Sequence, residues 1–446
     1  MSSAIPPGPP TRPVVGNLIE FGRDPLPFFT SCAENYGDVV SLQIGKWPAL
    51  FLNHPDHFEN VLLTNNRNFI KHRFFWRHVT EIFGRGLLTS EGAPWLTQRR
   101  LMQPAFHRDR IAGYGATMVA YTERMFERWR AEGREQRDIH SDLMKLTMEI
   151  ATKTLFGSDL PPNDAREVSA AFNDAIVEIA TRFRRLIKIP RWLPLPSNIR
   201  YNRAVAKLDR LIYGFIEQKE REGGGDDLLT MLMEVRDEDG SSMSKKQIRD
   251  EAVTIFLAGH ETTAITLSWT FYLLSQNPGA EEKAVREVAS VLGDRKPEAA
   301  DVARLPYLSN VISESMRLYP PAYAFGRESL EACVIGDYKI AAGTTIFISP
   351  WVSHRDPRWF VDPLVFRPER WENDFAKTLP RFAYLPFGGG PRVCIGNNFA
   401  LMEAVLVLAC VLQRYRLTLV PGTTITPFAS ITLRPRQGMP MLVSVV

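Results

Sequence analysis

The chain has 446 residues, of which 45% are hydrophobic, so it can bury a large core, and its length would allow two or three domains. Its 54 Lys and Arg residues against 50 Asp and Glu give a net charge of +4, too small to indicate a nucleic-acid-binding protein. The four cysteines are far apart, which excludes a disulfide-rich secreted scaffold and favours a reducing cytoplasm.

The N-terminal part of the chain mixes turn residues with short alternating segments. Residues 1–13 contain five prolines and no apolar run, so we expect a flexible segment that is neither a signal peptide nor a membrane anchor. No later window reaches the ~18 apolar residues of a spanning helix. Residues 39–44 and 49–52 alternate in polarity and predict strands of a small sheet.

Helical periodicity dominates from Trp95 to about Gln276, with 222–227 as an exposed loop inside it. Residues 244–276 predict a single helix, with Ser244 as N-cap and Asn277 and Pro278 after its end. At ~1.5 Å per residue this helix would be close to 50 Å long and would cross the molecule.

The centre of that helix contains polar residues at 260–263 inside an apolar pattern. Ala258 and Thr262 are four residues apart, so a small side chain and a hydroxyl share one helix face. Breaks in local pattern favour functional sites. The alternative is a core threonine that hydrogen-bonds to the carbonyl four residues earlier.

Glu314 and Arg317 lie three residues apart on a short predicted helix between Pro306 and Pro320. Alone, this spacing is weak, because exposed helices often carry such pairs. Beyond this helix, strands are predicted at 333–335 and 344–348.

The most specific feature is the glycine-rich loop that brings Cys394 to the start of an apolar segment, 399–412. Glycines allow the backbone to approach a flat group closely. The following helix, by its dipole, and Arg392, as a nearby cation, are expected to lower the pKa of the thiol. No paired Cys-x-x-Cys spacing is present, so the loop predicts an axial ligand of haem iron, with a buried structural cysteine as the alternative.

The loop resembles the haem-binding signature of the cytochrome P-450 family, and the resemblance extends over nearly the whole chain. The signature is complete at five positions: Phe387, Gly390, Arg392, Cys394 and Gly396. The resemblance implies a mainly α fold with small β-sheets, in which residues 1–446 form one triangular domain around a buried haem.

The resemblance also implies roles for the other motifs. Cys394 would be the iron ligand, and Glu261 and Thr262 would be the acid and alcohol that deliver protons during oxygen activation. A second group would form a buried structural network beneath the haem: Glu314, Arg317 and Arg370.

Further residues are expected around the haem by their place in the family pattern. The predicted contacts are Trp95, Arg99, Ala258, Arg327, Phe387, Gly388, Arg392 and Gly396. For Arg99 and Arg327 a solvated basic helix face stays the alternative.

The substrate pocket is expected to be apolar and aromatic. Its predicted lining is Phe74, Phe75, Trp76, Ala258, Tyr323, Ala324, Phe325 and Ile431. Such a lining suits a fatty acyl, terpenoid or polyketide-like molecule.

These features predict a haem-thiolate monooxygenase that inserts one oxygen atom from O2 into an apolar substrate. It would use haem b, and electrons from NAD(P)H would come through a ferredoxin and ferredoxin reductase or a flavodoxin-type donor, docked near Arg100, Arg108 and Arg110. The alternatives are a haem-thiolate isomerase, dehydratase or peroxygenase, and a non-enzymatic haem sensor or electron carrier.

The protein is expected to be a cytoplasmic monomer. Residues 182–196 interleave cations with apolar residues, where the family carries a lid over the substrate. Peripheral contact with an anionic membrane and an ordinary solvated helix end are two alternatives for this segment.

Overall fold

The computed structural model of the protein describes residues 5–159, 171, 174, 178, 192–236, 240 and 242–446. The α-helices within these ranges are α1 Leu18–Arg23, α2 Pro25–Tyr36, α3 Pro55–Glu59, α4 Arg73–Phe83, α5 Gly92–Met102, α6 Arg108–Gly113, α7 Gly115–Glu132, α8 Ile139–Phe156, α9 Pro196–Glu222, α10 Leu228–Glu234, α11 Lys245–Gln276, α12 Pro278–Leu292, α13 Pro306–Leu318, α14 Pro350–Ser353, α15 Phe375–Thr378 and α16 Asn397–Arg414.

The strands are short and lie mostly near the two ends of the chain. They are β1 Val39–Ile44, β2 Trp47–Leu52, β3 Phe69–Ile70, β4 Gln136–Asp138, β5 Phe325–Ser329, β6 Cys333–Ile335, β7 Tyr338–Ile340, β8 Thr345–Ile348, β9 Tyr415–Leu419, β10 Pro427–Ala429, β11 Leu433–Pro435 and β12 Pro440–Val445. The expected mainly α fold with small sheets is confirmed.

The sheets join distant parts of the sequence. The largest has the order β1-β2-β8-β5-β3, in which β2 and β8 are parallel and the other pairs antiparallel. A second sheet has the order β4-β12-β9, and β6-β7 and β10-β11 are two-stranded. Near the N-terminus, the amide of Ser41 donates to the carbonyl of Pro7, and Asn17 Nδ2 donates to that of Pro10. The expected flexibility of 1–13 therefore does not extend to these prolines.

Helix α11 runs through the middle of the core. The Ser244 hydroxyl accepts a hydrogen bond from the Gln247 amide, and the helix ends at Gln276, as the sequence predicts. Most of its side chains are buried, and it packs against α8, α9, α13 and α16. The helix is continuous through 258–263, so the polar residues there do not interrupt its backbone.

Helix α16 follows the cysteine loop and is also a core helix. Among the described helices it alone is long and apolar enough to cross a membrane, and 67% of it is buried. Its apolar side chains contact α7, α12, α13 and α11 in the largest hydrophobic cluster. Burial in that cluster fixes the helix whose first turn lies beside Cys394.

A buried ion pair connects α13 to the segment that precedes the cysteine loop. Arg317 donates two hydrogen bonds of 2.8 Å to the carboxylate of Glu314 and others to the carbonyls of His354 and Pro363. Both side chains of the pair are 0% exposed. Because neither is exposed, the alternative of a surface ion pair does not hold.

The same carboxylate holds the short helical turn at 368–371. Arg370 Nε donates to Glu314 at 3.3 Å, and the indole Nε1 of Trp371 donates at 3.0 Å. Arg370 is itself buried. The network therefore attaches the turn at 368–371 to α13. Its effect on the thiolate loop and on haem incorporation stays a prediction.

We predict that Arg317→Ala lowers the yield of folded, haem-loaded protein, because it leaves the Glu314 charge buried at a cost of ~3 to 5 kcal/mol. The matched control is Lys377→Ala, which breaks a pair of the same spacing with Asp374 that is more than 70% exposed on both sides. Soluble yield and haem-to-protein ratio are the measurements. Equal values for the two variants would contradict a structural role for the buried pair.

Candidate active site

A cavity of about 540 Å³ lies between α11, the cysteine loop and the segments 321–327 and 429–432. Its lining is mainly apolar. The predicted pocket residues that face it are Phe75, Trp76, Ala258, Tyr323, Ala324, Phe325 and Ile431. The side chain of Phe74 lies outside the described part of the chain.

The cysteine loop forms one wall of the cavity. Gly388 and Gly390 have φ angles of +71° and +66°, which residues with side chains rarely adopt. A side chain at Gly390 would also overlap with the carbonyl oxygen of Leu62, at 1.8 Å, whereas nothing lies within 4 Å of the corresponding position at Gly388. The loop thus packs against the backbone of Leu62 at Gly390 and faces the cavity at Gly388.

Cys394 is held at the open side of this loop. Its amide donates to the carbonyl of Phe387 at 3.0 Å, and its side chain is exposed to the cavity. The other cysteines do not line the cavity: Cys32 and Cys410 are buried, and Cys333 lies on β6. Cys394 is therefore the thiol available to a ligand in this cavity.

The expected lowering of the Cys394 pKa is wrong for the protein without a bound metal. Burial raises the pKa of this thiol, although a hydrogen bond from the Gly396 amide and the Arg99 charge act in the opposite direction. The Gly396 hydrogen bond and the Arg99 charge are thus too weak to offset desolvation. A coordinating metal ion deprotonates a thiol outright, so ligation itself would supply the thiolate.

Arg99 and Trp95 both line the cavity, as their spacing on α5 predicts. Arg99 Nη1 donates to the carbonyl of Val393 at 2.9 Å, so it is bound to the cysteine loop and does not lie on a solvated face. The guanidinium of Arg392 lies 4.3 Å from the centre of the Trp95 ring. Residues from α5 and the loop therefore form one edge of the cavity together.

A cluster of cations lies at this edge, and it includes a lysine that the sequence analysis missed. Lys71, Arg327 and Arg392 are brought together near a single carboxylate, that of Glu91. Burial, then Arg392 and Arg327, lower the pKa of Lys71 well below its usual value. Burial and Arg392 lower the pKa of Arg327 to about 10. Three basic side chains share one carboxylate here, so they form a site for a ligand that brings its own negative charge and favours their protonated forms.

The acid and alcohol on α11 do not bond to each other. Thr262 faces the cavity, and its hydroxyl donates to the carbonyl of Ala258 at 2.8 Å, the contact expected of a packing threonine. The Glu261 carboxylate accepts from the Thr432 hydroxyl and from Arg434 Nε, both at 2.6 Å. The contacts of Glu261 with Thr432 and Arg434, which are more than 170 residues away, were not predicted from the sequence.

Two further buried acids on α11 and α16 were also missed. Glu251 is 0% exposed and accepts from the amide of Leu87 at 2.7 Å, which fixes a loop that lines the cavity. Burial raises the pKa of Glu251 to about 8, and the neighbouring charge of Asp250 adds to this. Glu403 on α16 is equally buried. Burial raises its pKa well above the usual value, and a hydrogen bond with Thr263 acts against that rise.

Comparison with known proteins decides the family. A family model described as Cytochrome P450 matches residues 6–440. The chain belongs to the cytochrome P450 family. Its relatives include cyclooctatin synthase of Streptomyces melanosporofaciens, 38% identical over 96% of this chain and 94% of that protein. Cyclooctat-9-en-7-ol 5-monooxygenase of the same organism is 36% identical, over 94% and 90%. Pentalenene oxygenase of Streptomyces avermitilis is 34% identical, over 96% and 95%.

The protein is therefore a haem-thiolate P450 monooxygenase, and its cofactor is haem, with O2 as co-substrate and electrons that originate from NAD(P)H. Members of the family generally use redox partners and bind apolar substrates. The residues present fit the haem, since the cavity has an open thiol on one wall and a cationic edge that matches the two propionates.

We predict that stability falls as pH rises towards 8 because of Glu251. Its pKa is raised from 4.5 to about 8 in the folded protein, so the folded state keeps a proton that the unfolded chain loses. The contribution of Glu251 to the free energy of unfolding is fully present below the pKa of the unfolded chain. It is lost as pH rises towards the pKa of the folded protein, by at most about 1.4 kcal/mol per pH unit.

Glu251→Gln should reduce the fall in melting temperature between pH 4.5 and about 8, the range between the unfolded and folded pKa values of this residue. The control is Glu282→Gln, on the exposed side of α12. Melting temperatures measured by circular dichroism across this range are compared with those of the wild type. A Glu251→Gln profile parallel to the wild type would contradict the assignment.

Proposed function

We propose that this P450 oxidises a cyclic terpenoid, with Cys394 as the thiolate ligand of the haem iron. The observation that carries the proposal is the apolar cavity in which Cys394 forms one wall and the Thr262 face of α11 another. Arg99, Arg327, Arg392 and Lys71 are the residues that would bind the propionates. Trp95, Phe387, Gly388 and Gly396 would complete the haem contacts.

The substrate class is supported by the lining and by the named relatives. Two of those relatives are named for cyclooctat-9-en-7-ol and pentalenene. Aromatic and aliphatic side chains predominate around the cavity, and they favour a compact hydrocarbon bound by shape. Fatty acyl and polyketide-like molecules are the competing classes.

Spectral titration of the ferric enzyme tests the substrate class. We expect cyclooctat-9-en-7-ol or pentalenene to shift the Soret band to shorter wavelength, because a substrate that fills the cavity displaces water from iron. Dodecanoic acid and a macrolide aglycone serve as probes of the other classes. A shift with either of these and none with the cyclic terpenoids would overturn the proposal.

We predict that Cys394→Ser abolishes the red-shifted carbon monoxide band of the reduced protein, because an alcohol cannot replace the thiolate. Cys32→Ala and Cys410→Ala should keep that band, although each removes a buried side chain. A difference spectrum normalised to haem content is the measurement. Loss of the band in either control, with retention in Cys394→Ser, would show that the ligand is another cysteine.

Haem bound at Cys394 supplies the activation of O2, and electron donation by the thiolate favours O–O cleavage. The chain must then deliver protons to this side of the cavity while it keeps bulk water out. The Thr262 hydroxyl donates to Ala258 and so presents its lone pairs to the cavity, where it can accept a hydrogen bond from a water molecule. Glu261, the preceding residue, also lines the cavity and is the proposed acid.

We predict that Thr262→Ala keeps haem content and substrate affinity but diverts electrons into hydrogen peroxide, because an ordered proton donor is lost. NAD(P)H consumption, product and peroxide are measured together. Thr262→Ser should restore coupling. The control is Thr270→Ala, which removes the same kind of helix-bonded hydroxyl outside the cavity. Unchanged coupling in Thr262→Ala would leave this residue as a packing threonine.

Electron delivery is proposed to occur between separate proteins, a ferredoxin and its reductase or a flavodoxin-type donor. Arg100, Arg108 and Arg110 are exposed near the end of α5 and the start of α6, and they offer a cationic surface to an acidic donor. A salt titration of turnover tests this surface, since screening should slow the reaction. The proposed lid, 182–196, lies largely outside the described residues, so its membrane contact stays a prediction.

A further inference from the structure

The tip of the β10–β11 hairpin forms part of the cavity wall. Ser430, Ile431 and Thr432 connect the two strands and line the cavity. Two aromatic side chains hold the backbone of this hairpin: Trp269 Nε1 donates to the carbonyl of Leu433, and the Tyr323 hydroxyl donates to that of Ser430, both at 2.9 Å. These bonds attach the hairpin to the core but leave the direction of its cavity-facing side chains to other contacts.

A charged contact connects the hairpin to α11. Arg434 Nε and Nη2 lie 2.6 Å and 2.5 Å from the same carboxylate oxygen of Glu261, and the Thr432 hydroxyl donates to that oxygen as well. The Glu261 side chain is 4% exposed and that of Arg434 is 17% exposed, so the pair is largely shielded from solvent. One carboxylate oxygen thus binds residues on both sides of the buried Leu433.

We propose that the Glu261–Arg434 ion pair is a hairpin latch: it fixes the cavity-facing tip 430–432 against α11 and thereby determines which ligands the cavity accepts. Arg434 is in this sense a positioning residue that acts through Thr432 and Ile431. The inference rests on the proposed function in one respect: both take this cavity to be the substrate pocket. It gives Glu261 a second task beside proton delivery.

The latch depends on the Glu261 carboxylate, because Arg434 and Thr432 both bind the same oxygen of it. A buried charge that loses its partner is strongly destabilised, so either residue alone would turn away from its present position. The Thr432 hydroxyl would then lose its acceptor and rotate within the cavity wall. The Trp269 and Tyr323 bonds would keep the hairpin attached, so we expect a displaced tip and not an unfolded protein.

The experiment uses the haem-loaded enzyme and 4-phenylimidazole, an azole that binds iron and extends into the cavity. Arg434→Gln should raise its spectral dissociation constant about fivefold, and Glu261→Gln should do the same. The double variant should be no weaker than either single one, as expected for two residues that act as one pair. Arg434→Lys keeps the charge and should stay within about twofold of wild type.

Hydrogen exchange supplies a second readout that does not depend on the azole. Peptides covering 427–435 should exchange faster in Arg434→Gln, with peptides from α16 unchanged. Arg436→Gln is the matched control, because this exposed arginine lies two residues after Arg434 and stacks on the ring of Phe428 in β10. It should change neither the affinity nor the exchange.

The outcomes separate the latch from the proposed function. Wild-type affinity and wild-type exchange in Arg434→Gln would overturn the latch even if the carbon monoxide band and terpenoid binding are as proposed. An equal loss of azole affinity in Arg436→Gln would also overturn it, since the removal of any positive charge near the hairpin would then explain the result. Loss of the thiolate band in the wild type would instead contradict the proposed function.

Discussion

The buried ion pair between Glu314 and Arg317 is the interaction on which the rest of the site depends. Its centre is the Glu314 carboxylate. It accepts hydrogen bonds from the Arg317 guanidinium, Arg370, Trp371 and the amide of Arg367. A charge that is 0% exposed is tolerated only when it is fully paired, so these donors must all be in place together. The segment with Arg367, Arg370 and Trp371 is followed by α15 and then by the loop that carries Cys394. Helix α13 thus determines where the thiol enters the cavity, although neither residue of the pair lies in the cavity itself.

Helix α11 contributes a different kind of constraint, since its buried acids hold two loops of the cavity wall. Near its start, Asp250 and Glu251 accept from the amides of Arg85 and Leu87 and so fix the segment before α5. Gly84 is required there, because a side chain would overlap with the Asp250 carboxylate. Ten residues later, Glu261 holds the hairpin tip. The apolar lining is therefore shaped by polar contacts that lie at its margin.

Much of the fold and the cysteine loop could be predicted from the sequence, because those signals are local. The caps of α11, the first two strands and the glycines around Cys394 are each visible within a few residues, and the pocket residues follow from the family pattern. The roles of Arg434 and Lys71 and the contact between Thr432 and Glu261 could not be predicted, since the partners are far apart in sequence and arginines and lysines are usually exposed. The predicted direction of the Cys394 pKa shift was wrong because burial, which outweighs the Gly396 hydrogen bond and the Arg99 charge, is a property of the folded chain alone.

The two ends of the cavity have opposite characters, and this difference constrains how it can recognise molecules. The edge formed by Lys71, Arg327 and Arg392 has an excess of positive charge and fits the acidic groups of the haem. The region around Ala258, Phe325 and Ile431 offers mainly apolar surface, where a methylene more or less changes binding only modestly. Selection among hydrocarbons must then come from shape, and shape depends on how firmly the surrounding loops are held. Substitutions at the buried acids of α11 should therefore alter substrate preference more than substitutions that merely exchange one aliphatic lining residue for another.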